Sequence, residues 1–286
     1  MIQSMTGFGK ATAQLPTKKI TVEVKSLNSK GLDLNVRMPS VYREMELGLR
    51  NQIASQLERG KIDFAIYVES TAEQTSTKVN GPIVKNYIAQ LKEVTPNADE
   101  TELMKMAVRM PDALKTEREE IDEEDWDEIQ KTINTALQNI QDFRKDEGLS
   151  LEKEFNLRIA NIRQYMEDAV ALDPERIQLI KDRLQNAIAE LKVNVDENRF
   201  EQELIYYLEK LDITEEKVRL TNHLDYFLQT LSTTEANGRK LGFITQEMGR
   251  EINTMGSKSN HAQMQKLVVM MKDELEKIKE QVLNVL

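Results

Sequence analysis

The chain has no cysteine, two histidines (His223 and His261), one tryptophan, six prolines and eleven glycines in 286 residues. Without cysteine there are no disulfides, no thiolate zinc sites and no cysteine nucleophile, and two histidines give little basis for a histidine-rich metal centre. Any metal here is expected to be held mainly by oxygen. No apolar run approaches the roughly 20 residues that span a bilayer. The opening MIQSMTGFGK lacks the basic-then-apolar layout of a secretory leader, so the cytoplasm is the expected location.

What the sequence has in quantity is charge, 31% of residues against 40% hydrophobic, with a net charge of −10. A chain of this length can bury a substantial core in two or more folded units. The acidic total argues against binding phosphate, but its distribution does not. Residues 1–90 hold 12 Lys and Arg against 8 Asp and Glu, residues 91–210 hold 17 against 30, and residues 211–286 hold 10 against 11. A mildly basic first part and a near-neutral last part leave room for a positive surface, although charge runs also serve as ordinary solvated faces.

Hydrophobic periodicity divides the chain. Ile20, Val22 and Val24, then Leu32, Leu34 and Val36, then Ile62, Phe64, Ile66 and Val68 alternate with polar residues at the period of half-buried strands. SMTGFGKATAQL reads as a further strand, with Gly7 and Gly9 marking a bulge or a close backbone contact. Val41, Met45, Leu47, Leu49, Ile53 and Leu57 are read as a helical pattern, with Ser40 as a candidate cap. The order is β-β-β-α-β, an α+β domain over residues 1–74. Beyond it helix formers dominate. The expected organisation is a helical connector with an acidic segment over 75–147, a helical hairpin arm over 148–195 turning at Asp173-Pro174, and a C-terminal helical domain over 196–286. Met264, Val268, Met271, Leu275, Ile278, Val282 and Val285 alternate spacings of four and three, a heptad seam that packs either within the chain or across a subunit boundary.

Into this helical region the stretch QEMGREINTMGSKSN, residues 246–260, inserts hydrogen-bonding groups. On a helix Glu247 and Glu251 share a face. Such a pair can bind a divalent ion, Mg²⁺ or Mn²⁺, or can simply be exposed. Asp212, Glu215 and Glu216 form a second acidic group, readable as further metal ligands or as the acidic first turn of a helix capped by Asp212 or Thr214. His223, four residues after Arg219, suits a general acid/base or a satisfied core position. Lys258, with Asn253, Ser257, Ser259 and Asn260, offers donors for a phosphate or the turn chemistry of a helix ending at Gly256.

MIQSMTGFGKA, VEVKSLNSKGLDLNVRMP, LERGKIDFAIYVE, FRKDEGLSLEKEF, GRKLGFITQEMGREINTMGSKS and LEKIKEQVLNV resemble, in order and over essentially the full length, the YicC/YloC family of bacterial proteins. The resemblance implies an RNA-binding endoribonuclease acting on single-stranded RNA. It also implies a divalent cation, a homo-oligomer, expected as a hexamer, and a part in small-RNA turnover beside other RNA-decay proteins. Two positions depart from the family pattern: Ser29-Lys30 follows Asn28 where the family has NHR or NQR, and Gly249 stands where it has asparagine.

By residue type, the catalytic candidates are Glu247, Glu251 and His223. The metal candidates are Glu247, Glu251, Asp212, Glu215 and Glu216. For RNA they are Arg219, Arg239, Lys240, Arg250, Asn253 and Lys258, with Lys10, Lys30, Arg37, Arg59 and Lys61 of the first domain. Phe8 is expected as a core anchor, with base stacking as the alternative. A second reading makes the chain an oligomeric RNA-binding adaptor without chemistry, its carboxylates serving as partners of Arg219, Arg239 and Arg250.

Overall fold

The computed structural model describes residues 2–70, 77–116, 123–191, 197–233 and 237–286. Strands β1 (Gly7–Gln14), β2 (Lys18–Leu27), β3 (Leu32–Arg37) and β4 (Gly60–Ser70) form one sheet in the order β1-β2-β4-β3. β2 runs antiparallel to β1 and β4, and β3 runs parallel to β4. The period-two pattern is borne out: Ile20, Val22, Val24, Ile62, Phe64 and Ile66 all lie on the covered face. The helix between β3 and β4 is preceded by a 3-10 turn over Ser40–Met45, and Ser40 makes no capping hydrogen bond to α1 (Glu46–Leu57). A small unit follows, in which α2 (Gly81–Val94) and α3 (Glu100–Ala107) pack together and β5 (Thr77–Val79) pairs with β6 (Leu114–Thr116). Part of the acidic stretch, 117–122, lies outside the described residues, and the rest opens the long helix that follows, with Glu123, Glu124, Asp125, Asp127 and Glu128.

Helix α4 (Glu123–Ala171) is the backbone of the molecule. Its 49 residues run about 73 Å at the α-helical rise. Its first half buries Ile129, Ile133, Ala136, Leu137 and Ile140 against the sheet and α1. Its second half buries Leu151, Phe155, Ile159, Ile162 and Met166 in a second core with α7 (Thr214–Leu231), α8 (Gly238–Lys258) and α9 (Ala262–Val282). One helix thus serves both cores and crosses residues 147–148, where a boundary was expected. α5 (Asp173–Leu191) begins at the Asp173-Pro174 turn, and α6 (Glu197–Lys210) leads back to α7.

Two glycines allow elements to meet backbone to backbone. A Cβ at Gly9 would overlap the Ala136 carbonyl oxygen of α4, and one at Gly148 would overlap the Ile2 carbonyl oxygen. The first contact is why Gly7 and Gly9 flank Phe8: the glycines meet α4, and the alternation turns Phe8 to the uncovered face of the sheet. Phe8 is 41% exposed with Lys25 Nζ 5.7 Å from its ring centre, so the core-anchor expectation is corrected. At the second contact the chain ends are stitched together. Ser4 bridges Val285, Met5 N donates to the Asn284 carbonyl (2.7 Å), and Leu286 N donates to the Gln3 carbonyl (2.9 Å).

Every residue of the heptad seam is buried, at 4% exposure or less. Its partners are α4 and α8 of the same chain. Among the described residues no helix is long and apolar enough to cross a membrane.

Candidate active site between two antiparallel helices

Helix α7 starts where Asp212 Oδ1 accepts from the Thr214 backbone N–H (3.1 Å) and hydroxyl (2.7 Å). The Thr214 hydroxyl, before the other contributions, holds the Asp212 carboxyl below the usual carboxylate range. Asp212 is therefore engaged by Thr214 at the start of α7, one residue before the cap position, which is Ile213 and makes no side-chain capping bond. Leu220, Leu224, Phe227 and Leu231 give α7 one apolar face; Leu241, Ile244, Met248, Ile252 and Met255 give α8 another. These faces bring the helices together in the C-terminal core.

Contacts at the two ends set the register. The buried Arg176 donates through one nitrogen to the carbonyls of Leu211 (2.7 Å) and Lys258 (2.9 Å). At the other end Asn237 Nδ2 donates to the Thr230 carbonyl (3.3 Å). With Leu211 opposite Lys258 and Thr230 opposite Asn237, equal rise along antiparallel helices places Arg219 level with about residues 248–250 and His223 level with about residues 244–246. The azimuth follows from Lys240 and Lys258, about five turns apart and so on one line of α8. Lys258 Nζ reaches α7 at Glu216 Oε1 (2.7 Å) and meets the Asp212 carbonyl (2.9 Å). Lys240 Nζ lies 4.8 Å from the ring centre of Tyr226 on α7. Glu247 and Glu251 lie between them on the same line. Helical geometry thus puts His223 and Arg219 of α7 in the same stretch of the helix pair, the α7–α8 seam, as Glu247 and Glu251 of α8, with no hydrogen bond or ion pair between the two sets among the described residues.

Within that seam the charged groups are in different states. Glu215 pairs with Arg219 on the surface, and Glu247 pairs with the exposed Arg250 (2.9 Å). Glu216 is 5% exposed and takes Lys258 on one oxygen, while its Oε2 is buried with no hydrogen-bond partner. Glu251 is 8% exposed and makes no hydrogen bond or ion pair among the described residues. Among the described residues, no three His, Asp or Glu side chains converge where they could hold a metal ion.

Several donors expected to be free are committed. Lys258 is tied to Glu216, and the Ser259 hydroxyl is buried on the Met255 carbonyl (2.7 Å). α8 runs through Gly256, which packs on Val268, and ends at Lys258, so Gly256 does not terminate it. Asn253, Arg239 and Lys240 are exposed. The first-domain cations form a separate group. Lys10, Arg37 and Lys61 stand on the open face of the sheet, Lys10 paired with Glu23 (2.9 Å) and Arg37 near Asp63 (3.9 Å). Arg59 Nε donates to the carbonyl of Ser29, beside Lys30.

Comparison with known proteins decides the family. Residues 2–153 match the family described as "Endoribonuclease YicC-like, N-terminal region", and residues 169–286 match "Endoribonuclease YicC-like, C-terminal". The chain belongs to the YicC-like endoribonuclease family. The "Probable endoribonuclease YicC" of Clostridioides difficile (strain 630) is 32% identical over 293 residues, covering both chains completely. The protein of the same name from Haemophilus influenzae is 29% identical over 290 residues, with 99% of each chain covered.

In this YicC-like chain three residues near the seam escaped the sequence reading. Arg176 fixes the seam's end from α5, a role set by tertiary contacts alone. Tyr226 and Phe243 are 44% and 61% exposed. A signal for these two was present: each falls off the apolar line of its own helix, where a core residue has no reason to be.

Proposed function

We propose that this chain is an endoribonuclease that cuts single-stranded RNA at the α7–α8 seam. The observation that carries the reading is Glu251, a glutamate 8% exposed at the edge of the helical core whose carboxylate has no protein partner among the described residues and whose oxygens are not among the enclosed unpaired atoms. A glutamate held in a core for structure has a cation or donor beside it, as Glu216 and Glu274 do. A carboxylate that must meet a substrate, a cation or a proton would be left free.

His223 and Glu251 supply two groups able to move protons on facing helices. Arg219 and Arg250, exposed and held only in surface ion pairs of small worth, can exchange Glu215 and Glu247 for phosphate. A divalent cation fits the donor set in one specific way. Mg²⁺ commonly takes one or two protein carboxylates and completes its shell with phosphate oxygens and water, so Glu251 and Glu247 would suffice without a third protein ligand. When bound, it would lower the pKa of an attacking water and offset charge developing on the phosphate.

The reading includes a homo-oligomer, of six copies by family resemblance, acting in cytoplasmic small-RNA turnover with other RNA-decay proteins. Exposed Leu179 on α5 and Ile205, Tyr206 and Tyr207 on α6 support self-association. The open sheet face, with Phe8 and Lys10, supports a further RNA contact.

The test is incubation of purified protein with an end-labelled, partly single-stranded RNA in Mg²⁺, in Mn²⁺ and in EDTA, beside a Glu247→Gln/Glu251→Gln variant. Cleavage that needs the cation and disappears in the variant is expected. Binding without cleavage in every lane would favour the adaptor, a reading supported by the pairing of Glu215, Glu216 and Glu247 with cations.

A further inference from the structure

The apolar faces that join α7 and α8 are complete without Tyr226 and Phe243, yet both rings stand in solvent at one end of the seam. Tyr226 lies three residues, nearly one turn, beyond His223. Phe243 lies four residues before Glu247, on the same face of α8. The register that levels His223 with about residues 244–246 also levels Tyr226 with about residues 241–243. Two exposed aromatic side chains, one from each helix and without ring contact to each other, therefore stand at nearly the same level, about one turn from the groups assigned to proton transfer. Lys240 Nζ lies 4.8 Å from the Tyr226 ring centre, and Arg239 is the next residue.

We propose that Tyr226, Phe243 and Lys240 form a nucleobase subsite, in which an unpaired base stacks on the rings while Lys240 and Arg239 hold the adjoining phosphates. The inference rests on the nuclease reading and deepens it by assigning the preference for single strands. Aromatic stacking accepts any base because every base has a π-face, but a base inside a duplex has both faces occupied. Two aromatics flanked by cations match the chemistry of a single strand, whose bases are apolar-faced and whose backbone is anionic. An apolar protein partner would leave Lys240 and Arg239 without counter-charges.

The experiment uses the full chain in EDTA, so that binding is read without turnover. Fluorescence anisotropy compares a labelled single-stranded oligoribonucleotide with a strand of the same length and charge made of abasic residues. The wild type and Tyr226→Phe are expected to bind the base-bearing strand roughly tenfold more tightly, the scale of one stacked base. Tyr226→Ala/Phe243→Ala is expected to lose most of that preference while keeping its affinity for the abasic strand and its elution volume. An unchanged preference in the double variant would overturn the proposal. So would equal loss for both strands with a changed elution volume, which would make the rings a subunit contact. Adding Mg²⁺ to the same samples reports cleavage separately, so a protein that prefers bases but never cuts would remove the nuclease reading and leave the subsite standing.

Discussion

Glu216 and Glu251 are mostly buried residues of one helix pair, and only Glu216 has a cation. Lys258→Met would leave Glu216 enclosed and unpaired, and breaking a buried pair in this way costs about 3–5 kcal/mol. Replacing both members, Lys258→Met with Glu216→Met, should recover most of that loss, because apolar residues of similar size often substitute for a buried pair. Glu251→Gln removes a charge without breaking a contact, so its urea midpoint should equal or exceed that of the wild type. Urea denaturation of the four proteins checks the ordering. A large loss in Glu251→Gln would show that this carboxylate is structural.

At the scale of elements, glycines and a buried carboxylate locate the joints. Gly9→Ala and Gly148→Ala push a Cβ into backbone carbonyls and should destabilise by about 1–3 kcal/mol, as overpacking does. Gly48, exposed inside α1 with open space around it, should instead gain about 0.5–1 kcal/mol when changed to alanine. Thermal or urea unfolding of the three variants reads both signs. An ionic contact adds to the apolar joint between α4 and α9. Burial acts to raise Glu274, but hydrogen bonds from Lys277 (2.8 Å), Asn161 (3.0 Å) and Arg158 (3.2 Å) outweigh it and hold its carboxyl below the usual range. A carboxyl lowered by folding contributes stability above its unfolded pKa, near 4.3, and that contribution is lost as pH falls through the folded value. Urea midpoints measured downward from pH 7 should therefore fall more steeply below about pH 4 in the wild type than in Glu274→Gln.

The same elements show what a one-dimensional reading reaches. The succession of strands along the chain and the α9 seam were legible because each is a local period of apolar residues, two in one case and alternating four and three in the other; the sheet order β1-β2-β4-β3 was not. The continuity of α4 was not, because the helix passes from one core to the other without a change of period and Gly148 imitates a break. It is a glycine because the Ile2 backbone crosses there, a contact 146 residues away in sequence. Spacing alone put Glu247 and Glu251 on one face. The capture of Lys258 by Glu216, the pin from Arg176 and the exposure of Phe8 depend on which elements become neighbours.

At the scale of the whole molecule, α4 and the paired chain ends join an open-faced sheet to a helical core that carries the seam. Cations and an aromatic on the sheet, and a second such group beside His223 and Glu251, give a single chain two surfaces suited to one RNA strand. The account stands or falls on whether the second surface performs the chemistry. The deciding measurement is single-turnover cleavage of a single-stranded RNA by Glu251→Gln at saturating protein, beside its affinity for the same RNA. The account predicts a rate lower by about 10²–10⁴-fold, the usual worth of a proton-transfer group, with affinity within about twofold of the wild type. A variant that cuts at the wild-type rate would contradict it and move the active site off the α7–α8 seam.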